Sequence, residues 1–220
     1  MAEQIIVVGA GIIGATIAFR LAERGAAVTV IDRALPAAGA SGTSFGWINA
    51  NFAETAEYYR LRRSSIDAFR ALAGQLDLAD HLRWEGCLWW EDEGDDLVRH
   101  AGELAGFGYE ASVIGAAQFA QLEPHVANPP VASIRSTIEG AADAAAITRR
   151  LLAEAARHGA SIVTGCEMQG LTMPGGRVTG VATSLGAMRA DRVVIAAGAA
   201  TGALLDRDGI ALPMANKPGI

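Results

Sequence analysis

The sequence predicts an α/β fold: a parallel sheet covered by helices, interrupted by a long α+β insertion, with a β-meander in place of one crossover helix. Three observations point there. The segment IIVVGAGIIGATIAFRLAERGAAVTVID joins two apolar runs through a glycine turn and a helix-period stretch. The same grammar returns far downstream in DAAAITRRLLAEAARHGASIVTG. VVIAAGA then repeats the step from an apolar run into a glycine turn. Short β-branched runs without polar alternation are buried on both faces, as parallel strands are.

Residues 5–8, IIVV, are the first strand. From Ile12 to Arg24 the positions Ile13, Ile17, Leu21 and Arg24 fall three and four apart, and Gly25 stops the helix. AVTVID, residues 27–32, is the second strand. Each glycine between them has a physical reason. Gly9 permits the tight turn, Gly11 lets a pyrophosphate approach the backbone, and Gly14 lets the helix pack close to the sheet. A helix N-terminus carries partial positive charge and unpaired N–H donors, so a diphosphate needs no lysine there. Asp32, at the end of the second strand, is spaced to accept hydrogen bonds from ribose hydroxyls, and an acid there argues against NADP. GxGxxG alone is weak; its strand–turn–helix–strand setting makes it a dinucleotide site.

A nicotinamide-binding domain continues at once with another helix and strand. Here Asp32 and Arg33 lead into ALPAAGASGTSFGWINANFAE, which reads as a loop with no strand. A helix follows over residues 56–76, with Tyr58, Leu61, Phe69, Leu72 and Leu76 on one face. RWEGCLWWED reads as a strand, residues 95–105 as a short helix, and SVIGAAQFAQLEPHV as a strand leading into a helical turn. Beyond residue 143, Ile147, Leu151, Leu152 and Ala155 line one side of a helix, and SIVT is a buried strand. QGLTM, RVTGVATSL and AMRADR form a three-stranded meander before VVIAAGA. The strands at Ile5, Val28, Ile162 and Val193 are expected parallel, in the order third, second, first, fourth. A sheet interrupted after its second strand, with a meander for a crossover, is the layout of two-domain FAD enzymes. The expected organisation is a discontinuous, Rossmann-like FAD-binding domain, residues 1–48 and 139–220, with 49–138 as part of an α+β substrate domain.

With 220 residues, 51% of them hydrophobic, the chain can bury a sizeable core. A net charge of -6 without a basic block argues against nucleic acid as a partner. Residues 5–19 follow Glu3 and contain the nucleotide turn, so they read as mature structure and not as a signal peptide. The uncharged run 193–205 is too short to span a bilayer. Cys87 and Cys166 are isolated, which favours a reduced, cytoplasmic protein, and the scattered histidines form no metal-ligand pair.

On these segments the sequence resembles the D-amino-acid oxidase family of flavoproteins, which includes glycine oxidase and sarcosine oxidase. The matching pieces are VVGAGIIGATIAFRLAERGAAVTVIDR, GASGTSFGWIN, EGAADAAAITRRLLAEAARHGASIVTG, GRVTGVATSLGAMRADRVVIAAGAATGALL and LPMANKPG, in family order over nearly the whole chain. The resemblance implies FAD extended across the sheet. It implies an oxidoreductase that passes a hydride to the flavin from the carbon bearing the amine of an amino acid or secondary amine, the imine then hydrolysing. Gly9, Gly11, Ile12, Ile13 and Gly14 would surround the pyrophosphate, with Asp32 and Arg33 at the adenosine ribose and adenine. Ser41, Ser44, Phe45 and Gly46 would lie along the pyrophosphate and flavin. Met168 would offer its backbone to adenine, and Ala196, Ala197 and Gly198 would close on the cofactor. Ala144 stands where the family often has proline. LPMANKPGI stops where the family chain enters the second half of its substrate domain, so the resemblance implies a C-terminal continuation or a partner chain carrying the substrate-carboxylate residue.

No catalytic residue is assigned, because hydride transfer to a flavin needs a positioned C–H and a neutral amine more than a protein base. Arg60, Arg62 and Arg63 read as a solvated helix face in preference to a carboxylate clamp. Asn49 and Asn51 are loop amides that either line a pocket or cap backbone groups. Trp84, Trp89 and Trp90 read as a core strand with one exposed edge. Two rival readings are an FAD-binding subunit completed by a partner chain and a nucleotide-binding module without catalysis.

Overall fold

The computed structural model describes residues 2–215. The chain divides into two compact units, Met1–Ser44 with Asp143–Ile220, and Phe45–Ala142. It opens with β1 (Gln4–Val8), α1 (Ile12–Glu23), β2 (Ala27–Asp32) and α2 (Ala40–Thr43). The second unit then supplies β3 (Trp47–Ile48), α3 (Ala56–Leu76), β4 (Leu82–Arg83), β5 (Cys87–Trp89), α4 (Gly94–Gly106), β6 (Ala111–Gly115), α5 (Ala116–Leu122), β7 (Ala132–Ser136) and β8 (Gly140–Ala142). The chain returns to the first unit through α6 (Ala144–Arg157), β9 (Ser161–Thr164), β10 (Met168–Thr172), β11 (Gly180–Thr183), β12 (Gly186–Arg189), β13 (Arg192–Ile195) and α7 (Thr201–Asp206). Among the described residues no helix is long and apolar enough to cross a membrane.

In the first unit β13, β1, β2 and β9 lie side by side in that order, all parallel, as the strand grammar predicts. Alternation along parallel strands sends Ile6, Val8 and Ile31 to one face, where they pack with Met168, Val181 and Ala190 of the meander region. The other face, with Ile5, Val7, Val28 and Val30 buried, lies under α1 and α6, which pack on each other. The inner face of α6 is the predicted one: Ile147, Leu151, Leu152 and Ala155 are all buried. That of α1 is not. Ile13 and Arg24 are exposed, and the buried positions are Gly14, Ala15, Ala18, Phe19 and Ala22. Its large apolar residues mark no single stripe, and the inner face is made of four small residues with Phe19 the one large side chain among them.

The second unit carries two small antiparallel sheets, β3-β8-β4 and β5-β7-β6. Two corrections to the sequence reading arise here. The stretch after Arg33, read as strand-free, contains α2 and the two-residue β3, which pairs with β8. Elements that short have no period to detect. RWEGCLWWED is not one strand, because Gly86, at φ +92°, turns the chain between β4 and β5, which join different sheets. The inner face of α3 also shifts: Tyr59, Ile66, Leu72 and Leu76 are buried while Tyr58 and Leu61 face solvent. Thr55 starts this helix, its hydroxyl accepting the Tyr58 N–H at 3.2 Å. Residues 210–215 form no regular element, and residues 216–220, the end of LPMANKPGI, lie outside the described residues.

Burial on α3 separates two substitutions of similar chemistry. Ile66 is 2% exposed and Leu61 62%. Ile66→Ala is expected to lower stability by about 2–5 kcal/mol through transfer and cavity costs. Leu61→Ala should stay within about 0.5 kcal/mol. Urea denaturation of the two variants measures the difference; equal losses would contradict the observed face.

Candidate cofactor site

β1 ends at Val8, and Gly9 turns the chain with φ +113°, a conformation that glycine adopts without a Cβ clash. A Cβ on Gly9 would lie 2.3 Å from the Ala196 carbonyl oxygen, and one on Gly14 would lie 1.9 Å from the Gly9 carbonyl oxygen. Both glycines answer to the protein's own backbone. Gly11 does not. Its φ is -79°, open to any residue, and a Cβ there would meet only the Ser41 Oγ, at 3.2 Å.

The first intrahelical bond of α1 runs from the Ala15 N–H to the Gly11 carbonyl at 2.9 Å. The N–H groups of Ile12, Ile13 and Gly14 therefore precede the helical ladder. Ser41 accepts the first of them, the Ile12 N–H, at 2.9 Å. This hydroxyl caps a helix that lies far upstream in sequence, a role the sequence reading did not include. Those of Ile13 and Gly14 have no acceptor within the helix.

Asp32 closes the other side of the turn. Its Oδ2 accepts the Ala10 N–H at 2.7 Å and its Oδ1 the Ala34 N–H at 2.8 Å. Its backbone carbonyl accepts the Cys166 N–H at 2.9 Å. Each carboxylate oxygen still has a lone-pair direction to offer. The Ala196 N–H donates to the Val8 carbonyl at 2.7 Å, so the second glycine turn runs beside the first. Gly9, Gly11, Gly14, Asp32, Ser41 and Ala196 are thus brought together. Ala197 is half-buried, and Arg33, Ser44 and Gly198 are exposed in the same unit. Met168 is buried at the start of β10, packed with Ile6 and Val181. Phe45 and Gly46 belong to the second unit, Phe45 79% exposed and Gly46 buried where a Cβ would strike the Ala142 carbonyl.

The second unit holds two carboxylates that the sequence reading missed. Glu139, 1% exposed, accepts the Trp47 indole N–H at 2.5 Å and the Tyr109 hydroxyl at 2.6 Å. Burial, then this carboxylate, pushes the Tyr109 hydroxyl well above the ordinary phenol range, and the same two causes push the Cys87 thiol up to about 12. Asp92 accepts the Trp89 indole N–H at 2.7 Å and faces His100 Nδ1 at 2.7 Å. His100 Nε2 faces the Asn51 Oδ1 at 2.9 Å, an oxygen that also accepts the Phe52 N–H at 2.8 Å. Both ring nitrogens of His100 thus face side-chain oxygens. The bond from His100, followed by that from Trp89, holds the Asp92 carboxyl below its ordinary value of 3.8. A signal for each was present: His100 sits on the apolar stripe of α4 with Leu97 and Leu104, and Glu139 stands between Ile138 and Gly140.

Of the weaker candidates, Arg60 pairs with Glu57 at 2.9 Å and Arg63 with Asp67 at 2.6 Å on the helix surface. Arg62 departs from the solvated-face reading, donating to the Asn49 Oδ1 at 2.6 Å and to the Asn51 carbonyl. Trp84 packs at the edge of the second unit's core under the Arg70 guanidinium, 4.6 Å from its ring centroid.

A parallel sheet with a glycine turn under a helix N-terminus and an acid closing the next strand defines a Rossmann-like dinucleotide-binding fold. The profile of the DAO family, FAD-dependent oxidoreductases, matches residues 4–218, and the chain belongs to that family, whose cofactor is FAD. It is 29% identical to a D-amino acid dehydrogenase from Methylobacterium sp. (strain 4-46), over 96% of this chain and 64% of the relative. It is 29% identical to a glycine oxidase from Pseudomonas aeruginosa, over 100% of this chain and 62% of the relative. The glycine oxidase from Geobacillus kaustophilus superposes with a TM-score of 0.85 at 27% identity, over 96% of this chain and 60% of that one. The chain therefore spans somewhat over half the length of the proteins it matches.

Two stability measurements follow from these bonds. Asp32→Ala leaves the Ala10 and Ala34 N–H groups unpaired and is expected to cost at least about 2 kcal/mol without any ligand. Ser41→Ala uncaps α1 and should cost about 0.5–2 kcal/mol. Thermal unfolding of the ligand-free variants reads both. Asp92 contributes stability in full above pH 3.8, and loses it as pH falls through its lower folded-state value. The stability gap between wild type and Asp92→Asn should narrow from neutral pH towards pH ~2; a gap that is constant with pH would separate Asp92 from the acid response.

Proposed function

We propose that this chain binds FAD at the turn of its first unit and forms part of an oxidoreductase that oxidises the C–N bond of an amino acid or secondary amine. The observation that carries the reading is Gly11. The backbone at residue 11 suits any side chain and a Cβ there would press only on the Ser41 Oγ, at 3.2 Å, whereas a pyrophosphate approaching the backbone requires its absence. The residues present fit the group. The N–H groups of Ile13 and Gly14 offer donors where the helix dipole favours an anion. The Ser41 hydroxyl, while accepting from Ile12, keeps a proton to donate to a phosphate oxygen.

The remaining assignments follow the same reading. Gly9 and Ile12 shape the turn, and Asp32 offers its free lone pairs to ribose hydroxyls with Arg33 towards adenine. Met168 presents backbone groups to adenine, and Ala196, Ala197 and Gly198 bound the cofactor from the second turn. Ser44 continues along it within the first unit. When bound, FAD supplies the two-electron acceptor that takes a hydride from the carbon bearing nitrogen. The first unit is read as the cofactor domain and the second as part of a substrate domain. Likeness to proteins named D-amino acid dehydrogenase and glycine oxidase supports the amine-bearing substrate. A cytoplasmic location is part of the reading, supported by two cysteines that are both free.

Gly11→Val tests cofactor binding at a position whose backbone suits any side chain, with thermal unfolding of the variant reading any displacement of the Ser41 hydroxyl. Asp32→Ala should weaken FAD by about 2–4 kcal/mol through lost charge-assisted bonds. FAD affinity, followed by quenching of flavin fluorescence, is expected to fall in the order wild type, Asp32→Ala, Gly11→Val. Normal FAD binding by a folded Gly11→Val protein would overturn the assignment.

A further inference from the structure

β6 pairs with β7 on one side and ends the β5-β7-β6 sheet on the other. Proteins blunt such edges with a charge, a proline, a bulge or a covering segment. The run ASVIG, Ala111–Gly115, contains neither a charge nor a proline, and its register against β7 has no shift. Val113, at its centre, is 50% exposed. β10 is an edge strand of the same length and is treated differently. A bulge interrupts it, and the Asp208 carboxylate accepts its Leu171 N–H at 2.9 Å. Among the described residues no side chain bonds the backbone of β6 in that way.

The ladder fixes which backbone groups that edge offers. The Thr137 N–H donates to the Glu110 carbonyl and the Ala116 N–H to the Val131 carbonyl, each at 3.2 Å. Hydrogen-bonded pairs alternate along an antiparallel ladder, so Ser112 and Ile114 bond to β7. Ala111, Val113 and Gly115 turn their backbone groups outward. Two of those groups are already used within the chain. The Ala111 N–H donates to the Tyr109 carbonyl at 2.8 Å. Gly115 is the N-cap of α5, whose first helical bond its carbonyl accepts. The groups left over are the N–H and carbonyl of Val113, the Ala111 carbonyl and the Gly115 N–H.

We propose that β6 is a self-association surface, along which two copies of this chain pair antiparallel about a two-fold axis at Val113. The leftover groups match themselves under that symmetry. Val113 exchanges both bonds with Val113 of the second copy, and each Gly115 N–H meets the Ala111 carbonyl opposite. The groups this register would leave unpaired are the two already satisfied at home. Charge agrees with the same partner: Glu110 falls opposite Ala116 of the second copy, so no like charges meet. An isologous contact requires this self-complementarity, and a foreign strand does not. The inference is independent of the cofactor reading.

Sedimentation equilibrium over a dilution series, with and without FAD, tests it. The chain of 22.8 kDa is expected to show a reversible equilibrium between that mass and its double. Val113→Lys and Val113→Glu place like charges opposite each other at the axis, where the exposed side chain tolerates them. Each variant alone should dimerise about tenfold more weakly than wild type. An equimolar mixture of the two brings lysine opposite glutamate and should recover the dimer. That recovery is a readout that a folding defect cannot produce, and circular dichroism of each variant checks the fold directly. A monomer at every concentration, a dimer indifferent to both charges, or a mixture no more associated than its components would each overturn the proposal.

Discussion

Asp32 joins three segments that come from different parts of the chain. Its two carboxylate oxygens hold the Ala10 N–H, in the turn after β1, and the Ala34 N–H, where the chain leaves β2. Its carbonyl holds the Cys166 N–H just beyond β9. Backbone donors gathered at the carboxyl ends of parallel strands would otherwise lack acceptors, because the ladder has ended there. One residue, two bonds from its side chain and one from its backbone, therefore ties together the loops at the carboxyl ends of these strands, the usual ligand position in an open α/β sheet. Whatever Asp32 offers a ribose comes in addition to that structural role, and the lone pairs left by its two backbone bonds set how much it can offer.

The second unit follows a similar rule with other donors. Indole N–H groups, a tyrosine hydroxyl and an imidazole converge on Glu139 and Asp92, which satisfy polar atoms of bulky rings at the margin of the core. A large aromatic surface packs well but leaves its N–H or O–H in need of a partner. Supplying that partner from a buried acid makes ring orientation specific. Burial of Glu139 without its Trp47 and Tyr109 bonds would carry a heavy desolvation cost, so the acid and the rings depend on each other.

Legibility in the sequence tracked the physical source of each signal. The inner face of α6 was readable because Ile147, Leu151 and Leu152 are large and fall on one stripe between polar residues. That of α1 was not, since Ile13 is as apolar as Phe19 and only the nearness of the sheet tells them apart. The turn roles of Gly9 and Gly14 were readable because one βαβ unit fixes their spacing, whereas the bonds of Asp32 to the Ala10 and Ala34 N–H groups were not part of the reading. Ser41 reaches Ile12 across 29 residues and Trp47 reaches Glu139 across 92, separations that carry no periodicity. Their partners were invisible for that reason, although the acid in an apolar stretch and the histidine on an apolar stripe could have been flagged as buried.

The position of β1 also bears on how the protein is made. β1 pairs on one side with β2, its near neighbour in sequence, but on the other with β13, Ile5 opposite Arg192. At ribosomal speeds of about 5–20 residues per second, roughly 10–40 s separate the emergence of these two strands. For that interval a strand whose Ile5, Ile6, Val7 and Val8 side chains end up buried has one edge without a partner, open to wrong pairing. Closure of the sheet is a late, non-local event, and contacts of such long sequence separation slow folding. The whole second unit emerges within the interval, so the nascent chain must shield its first strand while another unit is being completed.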